Sequence, residues 1–146
     1  MAHRNKVLIV EDEEILAENL QEFFHRSGWD ARIAASGQSG VIAADEFRPQ
    51  LILLDYHLPD MTGFQALDAI RAAQHGCGCV LMTGHPSDMI LADAKPRAIG
   101  RILCKPFSFG ELQSQLMATA GETCSKCLKP NLDCGWGNSP IVMGLA

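Results

Sequence analysis

The sequence LILLD, from Leu51 to Asp55, places four consecutive aliphatic side chains directly before a carboxylate. An aliphatic run without polar alternation is typical of a parallel β-strand that helices cover on both faces. An acid is rarely a packing residue in such a place, because ionised side chains are seldom fully buried. The stretch therefore predicts a buried strand that delivers Asp55 to one edge of a sheet.

Other short apolar runs end in the same way. Polar groups follow three further runs: Glu11 and Asp12 after residues 7–10, Thr83 after residues 80–82, and Lys105 with Pro106 after residues 102–104. Residues 29–34 add a fifth, more moderate strand. Segments with apolar residues at helical spacing separate these runs, and strands that alternate with helices are typical of βαβ units. The pattern predicts a doubly wound α/β fold with a parallel sheet and helices on both faces.

Five helical segments fit between and after the strands. The first ends near Ser27 and Gly28, and the second covers residues 37–46. The third begins at Gly63, the fourth covers residues 89–93, and the fifth runs from Ser108 to about Ala120. Ser108 and Glu111 match a capping box, in which a hydroxyl and a carboxylate satisfy each other's backbone amides at a helix start. The last segment is therefore the best marked of the five.

Length and charge exclude several classes of protein. A chain of 146 residues suits one domain, and its net charge of −5 argues against a nonspecific nucleic-acid binder. No apolar run approaches the roughly 20 residues that a membrane-spanning helix needs. The six cysteines are not expected to form a disulfide framework, because a core of this size needs no covalent links. We expect a cytoplasmic protein without membrane contact.

The polar groups at the strand ends are expected to lie together. In an open α/β sheet, ligands bind beyond the carboxyl ends of the strands. Two carboxylates about 4 Å apart repel each other by roughly 4 kcal/mol at an effective dielectric near 20, so three acids in one place require a cation. Oxygen ligands and an open position suit Mg²⁺ better than Ca²⁺.

Taken together, these residues resemble the receiver domain of two-component response regulators. The resemblance rests on Glu11-Asp12, Asp55, Thr83 and Lys105-Pro106 in this order, and on the segment LPDMTG after the acid. It covers roughly residues 6–120. It implies a flavodoxin-like, CheY-like sheet of five strands in the order 2-1-3-4-5, and transfer of phosphate from a histidine kinase to an aspartate.

The resemblance implies a role for each acid. Asp55 would be the nucleophile and phosphoacceptor, which becomes an acyl phosphate. Mg²⁺ would be bound by Asp12, by Asp55 and by the backbone carbonyl of His57, while Glu11 would act mainly through water. The metal would neutralise the phosphoryl oxygens, so the protein contributes positioning and charge.

The same resemblance implies roles for the later strands. Lys105 would offer a compact positive charge to one phosphoryl oxygen, and the hydroxyl of Thr83 would bind another. Gly84 would leave room for the phosphoryl group to enter. The peptide bond between Lys105 and Pro106 would be cis, although residue type alone gives a prior of only about 5%.

Each of these residues also has an ordinary structural explanation. Glu11 could favour the N-terminus of a helix, where acids suit the macrodipole. Thr83 and Lys105 could be a common β-former and a charge at a strand end, and Asp55 could cap the turn that leads to Pro59. Their joint placement favours the functional interpretation.

Two departures from the family pattern concern regulation. The position three before Lys105, where the family usually has a mobile aromatic residue, is Ile102, whose β-branched side chain has few rotamers. His57 and His85 each lie two residues beyond a site residue, where the family's hydrolytic water passes. They could alter the lifetime of the acyl phosphate or could be plain solvent-exposed loop residues.

The end of the chain follows a different pattern. We predict a receiver domain over residues 3–122 and an extension over residues 123–146 whose role the sequence does not reveal. Cys124 and Cys127 have zinc-knuckle spacing and Cys134 supplies a third thiol, but a structural zinc site wants four ligands. Unpaired thiols are the favoured interpretation, with zinc as the alternative.

The sequence thus predicts a stand-alone receiver that takes phosphate from a sensor histidine kinase or a histidine phosphotransfer protein. It would be no enzyme beyond its own phosphorylation and dephosphorylation, and would signal to an effector by protein contacts. The sequence leaves open whether the protein forms a homodimer. A degenerate scaffolding receiver is one alternative. An aspartyl-nucleophile phosphohydrolase is another, although that class usually has a second acid where this chain has His57.

Overall fold

The computed structural model describes residues 5–73, 77–99 and 101–117, in which strands and helices alternate. The strands are Lys6–Val10 (β1), Asp30–Ala34 (β2), Leu51–Asp55 (β3), Gly78–Thr83 (β4) and Arg101–Cys104 (β5). The helices are Glu14–Arg26 (α1), Gly37–Phe47 (α2), Gly63–Ala73 (α3), Asp88–Ala94 (α4) and Phe109–Met117 (α5). A 3₁₀ turn, Lys95–Arg97, follows α4.

All five strands form one parallel sheet in the order β2-β1-β3-β4-β5. The predicted fold and strand order are confirmed. In the register of this sheet Val10 lies beside Leu54, and Asp55 lies beside Met82. Because neighbouring strands end at nearly the same level, the residues that follow them emerge at one edge.

The LILLD stretch is continuously apolar because its side chains serve two cores. Ile52 and Leu54 belong to a buried cluster that includes residues of α2, α3 and α4. Leu51 and Leu53 belong to a second cluster, which includes residues of α1 and α5. Successive side chains of a strand point to opposite faces, so a strand between two helix layers needs an apolar residue at every position.

The structure moves one predicted boundary. The fourth strand begins at Gly78 rather than at residue 80, so Cys79 lies inside β4. Its neighbour in β3 is Ile52, and pairing with this buried strand outweighs the weak β-propensity of glycine. Within the described ranges Cys77, Cys79 and Cys104 are all buried.

The start of α5 agrees with its predicted cap. The hydroxyl of Ser108 accepts a hydrogen bond of 3.1 Å from the amide of Glu111. The predicted continuation to Ala120 and the extension with Cys124, Cys127 and Cys134 lie outside the described residues. Among the helices that are described, none has the length and apolar character needed to cross a membrane.

Candidate functional site

Three acids meet at the carboxyl edge of the sheet. Glu11 and Asp12 follow β1, and Asp55 is the last residue of the adjacent strand β3. Each can offer one carboxylate oxygen such that the three oxygens all lie within 4.8 Å of one another. Oxygen ligands at this spacing form a donor set that suits a hard divalent cation such as Mg²⁺.

The three acids differ in burial. Only 1% of Glu11 and 5% of Asp55 are exposed, whereas Asp12 is exposed. Burial raises the pKa of Glu11 to about 7, and a hydrogen bond with Asp55 and its charge act in the same direction, while Lys105 opposes them. Asp12 therefore gives the acid cluster its opening to solvent.

Lys105 binds two of these acids. Its Nζ lies 2.5 Å from Oε1 of Glu11 and 3.4 Å from Oδ2 of Asp55. Burial alone would lower the pKa of Lys105, but its hydrogen bond to Glu11 and the charges of Glu11 and Asp55 raise it overall. The bond between Lys105 and Pro106 is cis, as the resemblance implies. The resemblance implied a water-mediated role for Glu11, and the structure adds this direct contact with the lysine.

Thr83 ends β4 beside this group. It is fully buried, and its Oγ1 accepts a hydrogen bond of 3.2 Å from the amide of His85. At Gly84, an added Cβ would meet none of the described neighbours within 4 Å, so the space above the strand end is open. His85 itself is exposed.

The loop after Asp55 folds back on the strand that it leaves. The amide of His57, an exposed residue, lies 3.4 Å from Oδ1 of Asp55, and His57 forms an isolated bridge with Thr62. The amide of Gly63 donates to the carbonyl of Tyr56 at 2.8 Å. A Cβ at Gly63 would lie 2.7 Å from the backbone oxygen of Asp55, so this close approach requires glycine.

Sequence reasoning gave no role to Asp60, which connects this loop with α2. Its Oδ1 accepts from the amide of Gly37 at 2.8 Å, and its Oδ2 accepts from the amide of Gln38 at 2.9 Å. These two bonds lower the pKa of the carboxyl. Aspartate is a residue type that caps helices, but nothing in the sequence places residue 60 beside residue 37.

Ile102 occupies the position where the family pattern has an aromatic residue. It lies beside Leu81 in the sheet, is 5% exposed, and belongs to the same buried cluster as Ile90, Ala94 and Ile99. Its side chain thus packs between the sheet and the region of α4.

Comparison with known proteins identifies the domain. The model of the response regulator receiver domain matches residues 7–117. The probable transcriptional regulatory protein TcrX of Mycobacterium tuberculosis is 32% identical over 117 residues, which are 80% of this chain and 50% of TcrX. The DNA-binding response regulator MtrA of Mycobacterium leprae is 30% identical over 115 residues, 79% of this chain and 51% of MtrA. The chain thus spans about half the length of these curated relatives.

Solved structures agree with the fold and the family. The signal receiver domain of a putative Luxo repressor protein from Vibrio parahaemolyticus has a TM-score of 0.71 at 28% identity, with coverage of 77% of this chain and 86% of that one. The chemotaxis protein CheY4 of Vibrio cholerae has a TM-score of 0.70 at 26% identity and covers 78% of this chain and 100% of its own. The described fold, the matched residues and these relatives together show that the chain belongs to the response regulator receiver domain family.

Proposed function

We propose that Asp55 accepts a phosphoryl group from the phosphohistidine of a sensor histidine kinase or a histidine phosphotransfer protein. The observation that carries this proposal is the meeting of three acids with Lys105, whose Nζ lies 3.4 Å from Oδ2 of Asp55. The phosphorus–nitrogen bond of the donor breaks and its electron pair stays on the imidazole. A phosphorus–oxygen bond to the Asp55 carboxylate forms in its place.

Receiver domains bind Mg²⁺ through acidic residues, and this chain offers a matching cluster. We assign Asp12, Asp55 and the backbone carbonyl of His57 as ligands, with Glu11 acting mainly through water. When bound, the metal supplies positive charge that neutralises the phosphoryl oxygens. The exposure of Asp12 supports this assignment, because an ion that also contacts an incoming phosphoryl group must remain open to solvent.

Lys105 and Thr83 would bind the remaining phosphoryl oxygens. The raised pKa of Lys105 keeps its ammonium charged at neutral pH, and this charge already lies beside Asp55. The Thr83 hydroxyl accepts from the amide of His85, so its own hydrogen remains available for donation to an oxygen on Asp55. The open space at Gly84 would admit the group.

Receiver domains are in general not enzymes, and the chemistry that we propose is confined to the domain's own aspartate. In self-dephosphorylation, water attacks phosphorus, the Asp55 carboxylate leaves and orthophosphate is released. His57 and His85 are both exposed and both donate their backbone amides to site residues, which supports the place beside the path of this water that the resemblance implies. We propose that they influence the lifetime of the acyl phosphate.

Intact-mass analysis after incubation with acetyl phosphate and Mg²⁺ tests the proposal. Wild type should gain one phosphate, Asp55→Ala should gain none, and excess chelator should prevent the gain. Asp30→Ala, which removes an exposed acid at the start of β2, is the matched control and should label normally. Labelling that survives Asp55→Ala would refute Asp55 as phosphoacceptor. Turnover of organic phosphates would indicate a phosphohydrolase, and neither labelling nor turnover would indicate a scaffold.

Output is proposed to pass through protein contacts of the loop after Thr83 and of α4. Within this helix Met89 is 78% exposed while Ile90 is 8% exposed, so an apolar side chain faces outward beside a properly buried one. Hydrogen exchange with and without beryllofluoride and Mg²⁺ should change mainly in residues 83–94. An equal change across the whole sheet would contradict this output route.

The wider organisation also remains a proposal. We propose a receiver domain over residues 3–122 and an extension over residues 123–146. We also propose that the protein is cytoplasmic, and that it acts as a stand-alone receiver that does not itself bind nucleic acid. The matched relatives are named as transcriptional or DNA-binding regulators, and the chain spans about half of their length. Two measurements test the stand-alone assignment: the mass of the natively expressed protein, and a DNA-binding assay.

A further inference from the structure

Asp60 lies in the loop before α3 and accepts hydrogen bonds from the start of α2, and each of these two helices has a cap of its own. At the start of α2, the hydroxyl of Ser36 accepts from the amide of Ser39 at 3.1 Å. At the start of α3, Thr62 and Gln65 exchange bonds between backbone amides and side chains. The bonds from Gly37 and Gln38 to Asp60 therefore add a link between the phosphoacceptor loop and α2, rather than a helix cap that is otherwise missing.

Met61 strengthens the same link. A Cβ at Gly37 would overlap the side chain of Met61, so the loop and the first turn of α2 approach as closely as a glycine allows. The carboxylate of Asp60 also lies where the partial positive charge of a helix N-terminus favours an anion. Loop residues 57–62 are thus held at α2 by Asp60 and Met61, and at their own base by the bridge from His57 to Thr62.

We propose that Asp60 is a positioning residue for phosphoryl transfer. By holding loop 57–62 against α2, Asp60 keeps the backbone carbonyl of His57 in place for the metal. The same contact makes the start of α2 respond when the Asp55 site is occupied. This inference rests on the proposed function, since it assumes the His57 carbonyl as a ligand. A backbone ligand on a loop is only as well placed as the contacts that support the loop.

Loss of the Asp60 carboxylate should weaken Mg²⁺ binding, so that saturation needs a higher metal concentration, while the fold is kept. Groups that support metal ligands commonly change metal affinity by roughly 10- to 100-fold, and Asp60 acts at one remove through the backbone, so we expect about a fivefold rise in the half-saturating Mg²⁺ concentration in Asp60→Ala. Asp60→Asn keeps a carbonyl oxygen that can accept one of the two bonds, so it should lie between wild type and Asp60→Ala.

Ser36→Ala is the matched control. This substitution removes the side-chain cap of α2 but leaves the hydrogen bonds from Gly37 and Gln38 to Asp60 in place. If Asp60 acted merely by stabilising α2, Ser36→Ala would raise the half-saturating Mg²⁺ concentration equally. We expect Ser36→Ala to lower the midpoint of urea unfolding and to leave the metal requirement within twofold of wild type.

Amide NMR signals of the full chain measure Mg²⁺ binding independently of phosphorylation. In wild type, Mg²⁺ with beryllofluoride should shift the signals of Gly37 and Gln38, and in Asp60→Ala this shift should disappear although signals near Asp55 still respond. Unchanged metal affinity in Asp60→Ala, equal weakening in Ser36→Ala, or no Mg²⁺ binding to wild type would each overturn the inference. If wild type binds Mg²⁺ normally but Asp55 is not labelled, the proposed phosphoryl transfer is refuted, and only the support that Asp60 gives to a metal ligand is retained.

Discussion

Replacement of Glu11 by glutamine should change how the stability of the metal-free domain depends on pH. Glutamine has nearly the same shape but cannot ionise. In wild type, Glu11 is 1% exposed and burial raises its pKa from 4.5 to about 7. Between these two values the folded state binds a proton that the unfolded state does not bind. The contribution of Glu11 to the free energy of unfolding is therefore fully present below pH 4.5 and is lost as the pH rises through about 7.

The size of this effect follows from the shift. One pKa unit corresponds to about 1.4 kcal/mol, so the shift of Glu11 amounts to roughly 3 kcal/mol between acidic and weakly alkaline pH. The other shifted groups do not titrate in this interval. The pKa values of Asp60 and Asp68 are lowered from 3.8, so their contributions are complete above that pH, and the pKa of Lys105 is raised from 10.5. The difference between wild type and Glu11→Gln thus isolates Glu11.

Urea unfolding at pH 5, 6, 7 and 8 with chelator, followed by far-ultraviolet circular dichroism, measures this difference. We expect Glu11→Gln to gain between about 2 and 3 kcal/mol relative to wild type from pH 5 to pH 8, because part of the full effect is already lost at pH 5. Glu14→Gln, the same change at an exposed position of α1, should show no such trend. A difference between wild type and Glu11→Gln that is constant from pH 5 to pH 8 would refute the reasoning. Adding Mg²⁺ at pH 8 should stabilise wild type, because the metal favours the ionised carboxylate.

Three further predictions concern the loop, α3 and the extension. Gly63→Ala should lower the free energy of unfolding by about 1–3 kcal/mol, because its Cβ would lie 2.7 Å from the backbone oxygen of Asp55, and urea unfolding measures this. Asp68→Asn breaks a pair of bonds of 2.9 and 2.8 Å to Arg97 at a partly exposed site, so it should cost less than about 1 kcal/mol in the same assay. Deletion after Glu122 should leave the sheet folded and Asp55 open to labelling, and loss of folding by circular dichroism would contradict the domain boundary.

The parallel sheet was predictable because it depends on patterns that are local in the sequence, whereas its strand order followed only from the resemblance to receiver domains. The residues from Leu51 to Leu54 are apolar at every position, which only a strand covered on both faces requires. Parallel strands bring their carboxyl ends to one edge, so the meeting of Asp55 with Asp12 needed no coordinates. The start of β4 was misplaced because tertiary pairing, and not the propensity of Gly78, decides it.

The partner that each charge selects could not be predicted in this way. Lys105 and Glu11 are 94 positions apart, and their contact at 2.5 Å is shorter by less than 1 Å than the 3.4 Å between Lys105 and Asp55. Such a difference depends on the depth of each side chain, and sequence patterns carry no information on that scale. The same holds for Asp60, whose bonds to Gly37 and Gln38 depend on where α2 begins relative to the loop.

The burial of Ile102 bears on how a signal could leave the site. This side chain packs in one cluster with Ile90 and Ala94 of α4, so a rotation outward would leave a cavity beside that helix. A β-branched side chain also has few rotamers to exchange. We therefore expect the response to phosphorylation to travel mainly through the backbone after Thr83, whose hydroxyl accepts from the amide of His85. A second, smaller response should pass through loop 57–62 to α2. Both routes begin at backbone amides that hydrogen-bond to site residues, that of His85 to Thr83 and that of His57 to Asp55, and neither requires an aromatic side chain to move.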